Sequence, residues 1–158
     1  MSFDLYLLPA VAVDNDPDNA RTFLDREESD FTEIPIALDL DLESRKRRLA
    51  DCFLRLKPSY SEFQVDYAAI ANYENIKIDE ARRKYRYIEL NGSDDPPEAQ
   101  VVISDRYVVI HWHSGTSPEE MDAIVAVLSY EGDFVLYDPQ ADQVLDPRKG
   151  SILDGLEP

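Results

Sequence analysis

Two runs rich in β-branched and aromatic residues lie a few positions apart in AQVVISDRYVVIHWH, residues 99–113. A connection that short joins antiparallel neighbours, because a parallel pair needs a crossover of a dozen residues or more. The pattern returns in FVLYDPQADQVLDP, residues 134–147. There Asp138-Pro139 suits a type I turn, since Asp accepts from the backbone two residues on and Pro presets φ. DPQAD therefore reads as a five-residue hairpin loop and not as a catalytic motif around Asp138. SFDLYLL near the start alternates as a strand and is ended by Pro9. KYRYIEL reads as a further strand.

Helical signals fall between these runs. In TSPEEMDAIVAVLSYEGD, Ser117 and Glu120 form a capping box and Pro118 takes the first position. Met121, Ile124, Val125 and Leu128 form the buried stripe, and Gly132 is a natural stop. In DNDPDNARTFLDREE, Asp16 is the cap, Pro17 the first helical residue, and Phe23 and Leu24 the buried contacts. DLESRKRRLADCFLRLKP places Leu42, Leu49, Cys52, Phe53 and Leu56 on one face and stops at Pro58. Residues 29–41 read as a loop or short extended piece, and 59–74 stay open. KIDEARRKY suggests one or two helical turns. Locally paired strands with interspersed helices predict an α+β single domain over 1–158. It has a mainly antiparallel sheet of five to six strands, helices packed on one side and a loosely held tail at 148–158.

The chain has 158 residues and a net charge of −17, unevenly spread. Residues 1–41 carry −9, 42–57 carry +4, 58–92 carry −1 and 93–158 carry −11. Such a field repels phosphate backbones and anionic membranes and speeds encounter with a basic protein. The single cysteine, Cys52, forbids an intrachain disulfide and suits a reducing cytosol. With no basic region before the first apolar residues and no apolar run near 20 residues, a cytoplasmic protein is expected.

Few residues suggest chemistry. His111 and His113 are two apart on a strand and share a face, but a metal site needs a third ligand that no further His supplies. The same register turns Val108, Ile110 and Trp112 to the core. Asp14, Asp16, Asp18 and Asp25 mimic calcium-loop positions 1, 3, 5 and 12, yet Asn19 stands where Gly is required and Pro17 disturbs the loop. RKRR, 45–48, is a solvated helix face or a match to the acids of 25–30. Cys52, on its apolar stripe, reads as an inert thiol. Five glycines leave no phosphate-cradling loop, so no cofactor is expected.

MSFDLYLLP and AIVAVLSYEGDFVLYDPQADQVLDP together resemble a group of small bacterial proteins with a DLY strand and a DPQ hairpin. Some of these resemble immunity proteins of polymorphic or type VI secreted toxins. The resemblance implies a binding protein that is not an enzyme, whose partner is a cognate toxin with a basic catalytic domain. Acidity places the contact on Asp14, Asp16, Asp18, Asp25, Glu27, Glu28 and Asp30, with Asp94, Asp95 and Glu98 second. The alternatives are a small enzyme using His111 and His113, and an acidic adaptor subunit of a larger complex.

Overall fold

A computed structural model describes residues 3–95 and 97–149. The fold is α+β, with all strand pairs of its seven-stranded sheet antiparallel. In chain order the elements are β1 (Phe3–Pro9), α1 (Ala10–Val13), α2 (Pro17–Thr32), α3 (Leu40–Leu56), β2 (Ser61–Glu62), α4 (Tyr67–Glu74) and α5 (Ile78–Lys84). There follow β3 (Ile88–Asn91), β4 (Gln100–Ile103), β5 (Val108–Trp112), α6 (Pro118–Gly132), β6 (Phe134–Asp138), β7 (Gln143–Leu145) and a 3-10 turn, Pro147–Lys149. The strand order is β2-β3-β4-β5-β1-β6-β7. The strand beyond the expected six is β2, two residues long.

Strand alternation sorts the sheet into two faces. Leu5 and Leu7 of β1, Val108 and Ile110 of β5, and Phe134 and Leu136 of β6 point to one side. There they meet Leu49, Ala50 and Phe53 of α3 and Met121, Ile124, Val125 and Leu128 of α6. Leu8, Val135 and Tyr137 point the other way, onto Val13 of α1 and Ala20 of α2, with Phe23 and Leu24 packed half-buried alongside. The expected one-sided packing thus holds for α3 and α6, while α1 and α2 occupy the opposite face. All five residues of β6 are buried for this reason, since helices cover both of its faces.

Local chemistry sets the boundaries. The Asp16 carboxylate accepts from Asp18 N at 2.9 Å and caps α2, which Pro17 begins. The helix runs on to Thr32 and so takes 29–32 from the expected loop. Asp39 caps α3 by accepting from Asp41 N and Leu42 N. On α3 the stripe is Lys46, Leu49, Ala50, Cys52 and Phe53; Leu56, expected among them, is 60% exposed in the last turn. Burial pushes the Cys52 thiol up. KYRY is not strand, because Tyr85 N closes α5 onto Ala81 O and the Arg86 carbonyl accepts from Lys46. Of the expected loose tail, Arg148 is held, pairing with Asp133 and Asp146 from the 3-10 turn; residues 150–158 lie outside the described residues.

The Ser117 hydroxyl accepts from Glu120 N at 3.1 Å, half of the expected capping box. The Glu120 carboxylate turns instead to Lys57 at 2.8 Å and to the Tyr60 hydroxyl. Tyr60 is 4% exposed, and its hydroxyl also accepts from buried Ala99 N at 3.2 Å. Burial, the largest cause, pushes this phenol well up. Tyr60→Phe leaves the Ala99 N–H without an acceptor, and urea unfolding is expected to show a loss of about 1–2 kcal/mol.

Candidate functional site

The ten acids singled out by sequence do not form one surface. The 92–99 connection leaves β3 and enters β4 at the sheet end where Gln100, His111 and Asp4 align. α1 and α2 follow Pro9, at the other end of β1. Five residues of strand, about 17 Å, separate those ends. Within α2 and its entry, the acids also take different parts. Asp14 and Asn15 adopt left-handed φ of 49° and 56° and shape the α1–α2 joint. Asp16 is the cap. Asp18 pairs with Arg21, which also holds Asp142 of the β6–β7 hairpin. Glu27 points inward, 7% exposed, with Arg106 at 3.5 Å. Burial raises the Glu27 carboxyl, and Arg106 offsets this only in part.

Asp25, Glu28 and Asp30 remain exposed. So do Asp94 and Asp95, whereas Glu98 folds back to accept from Ser93 N at 2.8 Å and the Ser59 hydroxyl at 2.9 Å. The second group is therefore a loop tip tied down by its own glutamate.

The segment after α2 adds what sequence reasoning missed. Between Thr32 and Leu40 the chain exposes Ile34 at 43%, Ile36 at 97% and Leu40 at 76%. Exposed Glu33 and Asp41 flank them in the chain, and Asp30 at the end of α2 borders Pro35 and Ala37 of the same segment. Exposed large apolar side chains rimmed by polar groups are a composition that protein contacts favour. The one signal available in sequence was the run EIPIALDL, apolar yet without strand or helix phase.

His111 is held by a different neighbour from the one its spacing suggested. Its Nδ1 lies 2.6 Å from Asp4 Oδ1, directly across the β1–β5 ladder. β5 ends at Trp112, which is half-buried against Phe3 with ring centroids 4.9 Å apart, and His113 lies exposed beyond it. Among the described residues no group of three or more His, Cys, Asp or Glu is placed to hold a metal ion. The Asp4–His111 pair borders a cavity of about 340 Å³ beneath α2, lined also by Tyr6, Glu28 and Tyr107. Tyr6 and Tyr107 are both pushed up, chiefly by burial. The row continues across the sheet, where Gln100 donates to Asn91 at 2.9 Å and Asn91 donates to Glu89 at 3.0 Å. A carboxylate orients an imidazole here, but Asp4 is the hydrogen-bond partner shown for that ring, and covalent chemistry would also need an adjacent nucleophile.

Among the described residues no helix is long and apolar enough to cross a membrane. No protein-family model, curated protein or solved structure matches the chain.

Proposed function

We propose that the chain is a protein-binding module that engages a basic domain, as an immunity protein occludes the active site of a cognate toxin. The observation that carries this reading is the exposed Ile36 and Leu40, flanked in the chain by exposed Glu33 and Asp41 and preceded by a helix that exposes Asp25, Glu28 and Asp30. Apolar anchors supply the desolvated centre of an interface. The surrounding carboxylates steer a basic partner and mimic the anions its site is built to hold. Net charge of −17 extends that attraction beyond contact range. Neutralising a toxin needs no reaction on the immunity side, only a face that covers the partner's site. The second acidic tip, Asp94 and Asp95, lies at the end of the sheet away from Pro9 and is a separate candidate contact.

The experiment is recovery of the tagged protein from the cells that make it, at low and then high salt, followed by titration of the purified partner. A single partner with a basic domain, inhibited at one-to-one stoichiometry, is expected. Asp25→Lys with Glu28→Lys and Asp30→Lys is expected to lower the association rate about tenfold or more and to flatten its salt dependence. Ile36→Asp is expected to raise dissociation instead. Unchanged binding by both variants removes this face from the contact, and recovery of only salt-labile, abundant basic proteins removes the proposal.

A further inference from the structure

A cavity of about 930 Å³ is a groove between α3 and the β2 edge of the sheet, lined also by Tyr87 and Ile88. Its lining is basic in an acidic protein: five arginines against Glu43, Asp51 and Glu62. Two of those arginines are committed within the fold. Arg47 grips Glu62 through two bonds of 2.9 Å, and Arg86 pairs with Asp105 at 2.9 Å. The other three, Arg48, Arg55 and Arg82, are exposed, and among the described residues none forms an ion pair with a carboxylate. Arg82 lies over the Tyr67 ring, 5.8 Å from its centroid. In a chain where acids outnumber bases 33 to 16, three arginines without a carboxylate around one groove make it locally attractive to an anion.

Geometry restricts that anion. Arg48 and Arg55 are seven residues apart on α3, about 10.5 Å along its axis and on one face. An occupant with several negative groups along an extended backbone meets both with their side chains extended. The opposite wall supplies a match for such a backbone. β2 pairs with β3 alone, and Phe63 N bonds to Glu89 O at 2.9 Å. By strand alternation, Glu62 and Gln64 then turn their N–H and C=O groups to the open edge. Phe63, 55% exposed, adds an apolar contact at the same wall. The overall field opposes any anion equally; a nucleic acid would leave the β2 edge unused, whereas a short peptide alternating acidic and apolar residues satisfies arginines, edge and Phe63 together.

We propose that this groove binds an extended acidic peptide segment of a partner protein, added as a strand to the β2 edge with its carboxylates on Arg48, Arg55 and Arg82. The groove shares Leu40 at its rim with the acidic face, but its arginines and the β2 edge are not part of that face.

Fluorescence anisotropy tests it with a labelled octapeptide of alternating glutamate and valine, at low salt. The glutamate peptide is expected to bind at least about tenfold more tightly than its lysine counterpart. Arg48→Glu with Arg55→Glu is expected to weaken it about tenfold or more, and Gln64→Pro, which removes an edge donor, about fivefold. Thermal melting of each variant shows that it is folded, and the milder Arg48→Ala with Arg55→Ala replaces the reversal if that does not fold. Equal binding of both peptides, arginine variants within about twofold of the parent, or no effect of Gln64→Pro would each overturn the proposal. Tighter binding of an oligothymidylate of equal charge would do the same.

Discussion

Asp105→Asn is expected to lower the unfolding free energy by about 3–5 kcal/mol, because it strands two buried cations with their counter-charge removed. The Lys46 side chain is 1% exposed and that of Arg86 8%. Asp105, 15% exposed, lies between them, 2.8 Å from the Lys46 ammonium and 2.9 Å from Arg86 Nε. Lys46 completes its three donors on Glu43 at 2.5 Å and on the Arg86 carbonyl. Arg86 also donates to the Arg83 carbonyl at 2.9 Å and stacks on Phe31 at 4.3 Å. The cluster thereby ties α3, the end of α2, the approach to β3 and the β4–β5 turn. Asparagine keeps the shape of Asp105 and loses its charge, leaving one partly exposed glutamate beside two cations. Lys46→Met should cost less, since it leaves the Asp105–Arg86 pair intact and fills the same volume with an apolar chain. Urea unfolding of both single variants and the double variant gives the coupling, expected at about 1–2 kcal/mol. A cost below about 1 kcal/mol for Asp105→Asn would remove the cluster as a keystone.

The same carboxylate sets a pH dependence. Burial alone would raise the Asp105 carboxyl, but the bonds from Lys46 and Arg86 together outweigh it and hold the group below the usual carboxylate range. A depressed folded value means that the stabilisation is complete above the unfolded value, about 3.9, and is lost as pH falls through the folded value. Glu27 runs the other way. Burial raises its carboxyl, so it favours the folded state increasingly as pH falls through that raised value. Acid unfolding of the parent should therefore show a low-pH loss that Asp105→Asn reduces, the remainder coming from the other depressed carboxyls, Asp146 among them.

The lysine at the centre of this cluster was hidden in the sequence. RKRR reads as a solvated run, because nothing local separates Lys46 from its neighbours. Helical spacing alone puts Lys46 on the stripe with Leu49, Ala50 and Phe53, but its partners Arg86 and Asp105 are 40 and 59 residues away, and only they make its burial tolerable. What was legible had local causes: the Asp16-Pro17 and Ser117-Pro118 caps, the period-two strands, and the loop in which Asp138 accepts from Gln140 N at 3.0 Å. β2 was not legible, since two residues carry no period and their partner lies in β3. α4 did carry a signal, Asp66 accepting from Ala69 N at 3.0 Å, but the tyrosines around it fit strand and helix equally. The acidic face was legible as charge, not as geometry. Which carboxylates cap, pair or turn inward depends on Arg21, Arg106 and Ser59, all set by packing. The exposure of Ile36 is likewise a property of what fails to cover it.

Gly132→Ala is expected to destabilise by about 3 kcal/mol, against the usual gain of up to about 1 kcal/mol when a helical glycine becomes alanine. The glycine is the last residue of α6, but the left-handed position belongs to its successor: Asp133 has φ of 54° and returns its N–H to Ser129 O. Gly132 is thus not needed for conformational freedom. It is needed for room. A Cβ there would fall 2.1 Å from Cε2 and 2.5 Å from Cδ2 of Phe134. That ring is 1% exposed, sits in the main core with Leu136 and Leu128, and carries the Arg45 guanidinium 5.5 Å from its centroid. It cannot swing aside without opening the first residue of β6, which pairs with Pro9 at the end of β1. The added methyl must displace either the ring or the end of α6. Thermal unfolding of Gly132→Ala alone and combined with Phe134→Leu separates the two causes. Relief by the smaller side chain identifies the clash, whereas an additive loss would place the cost in the helix end itself.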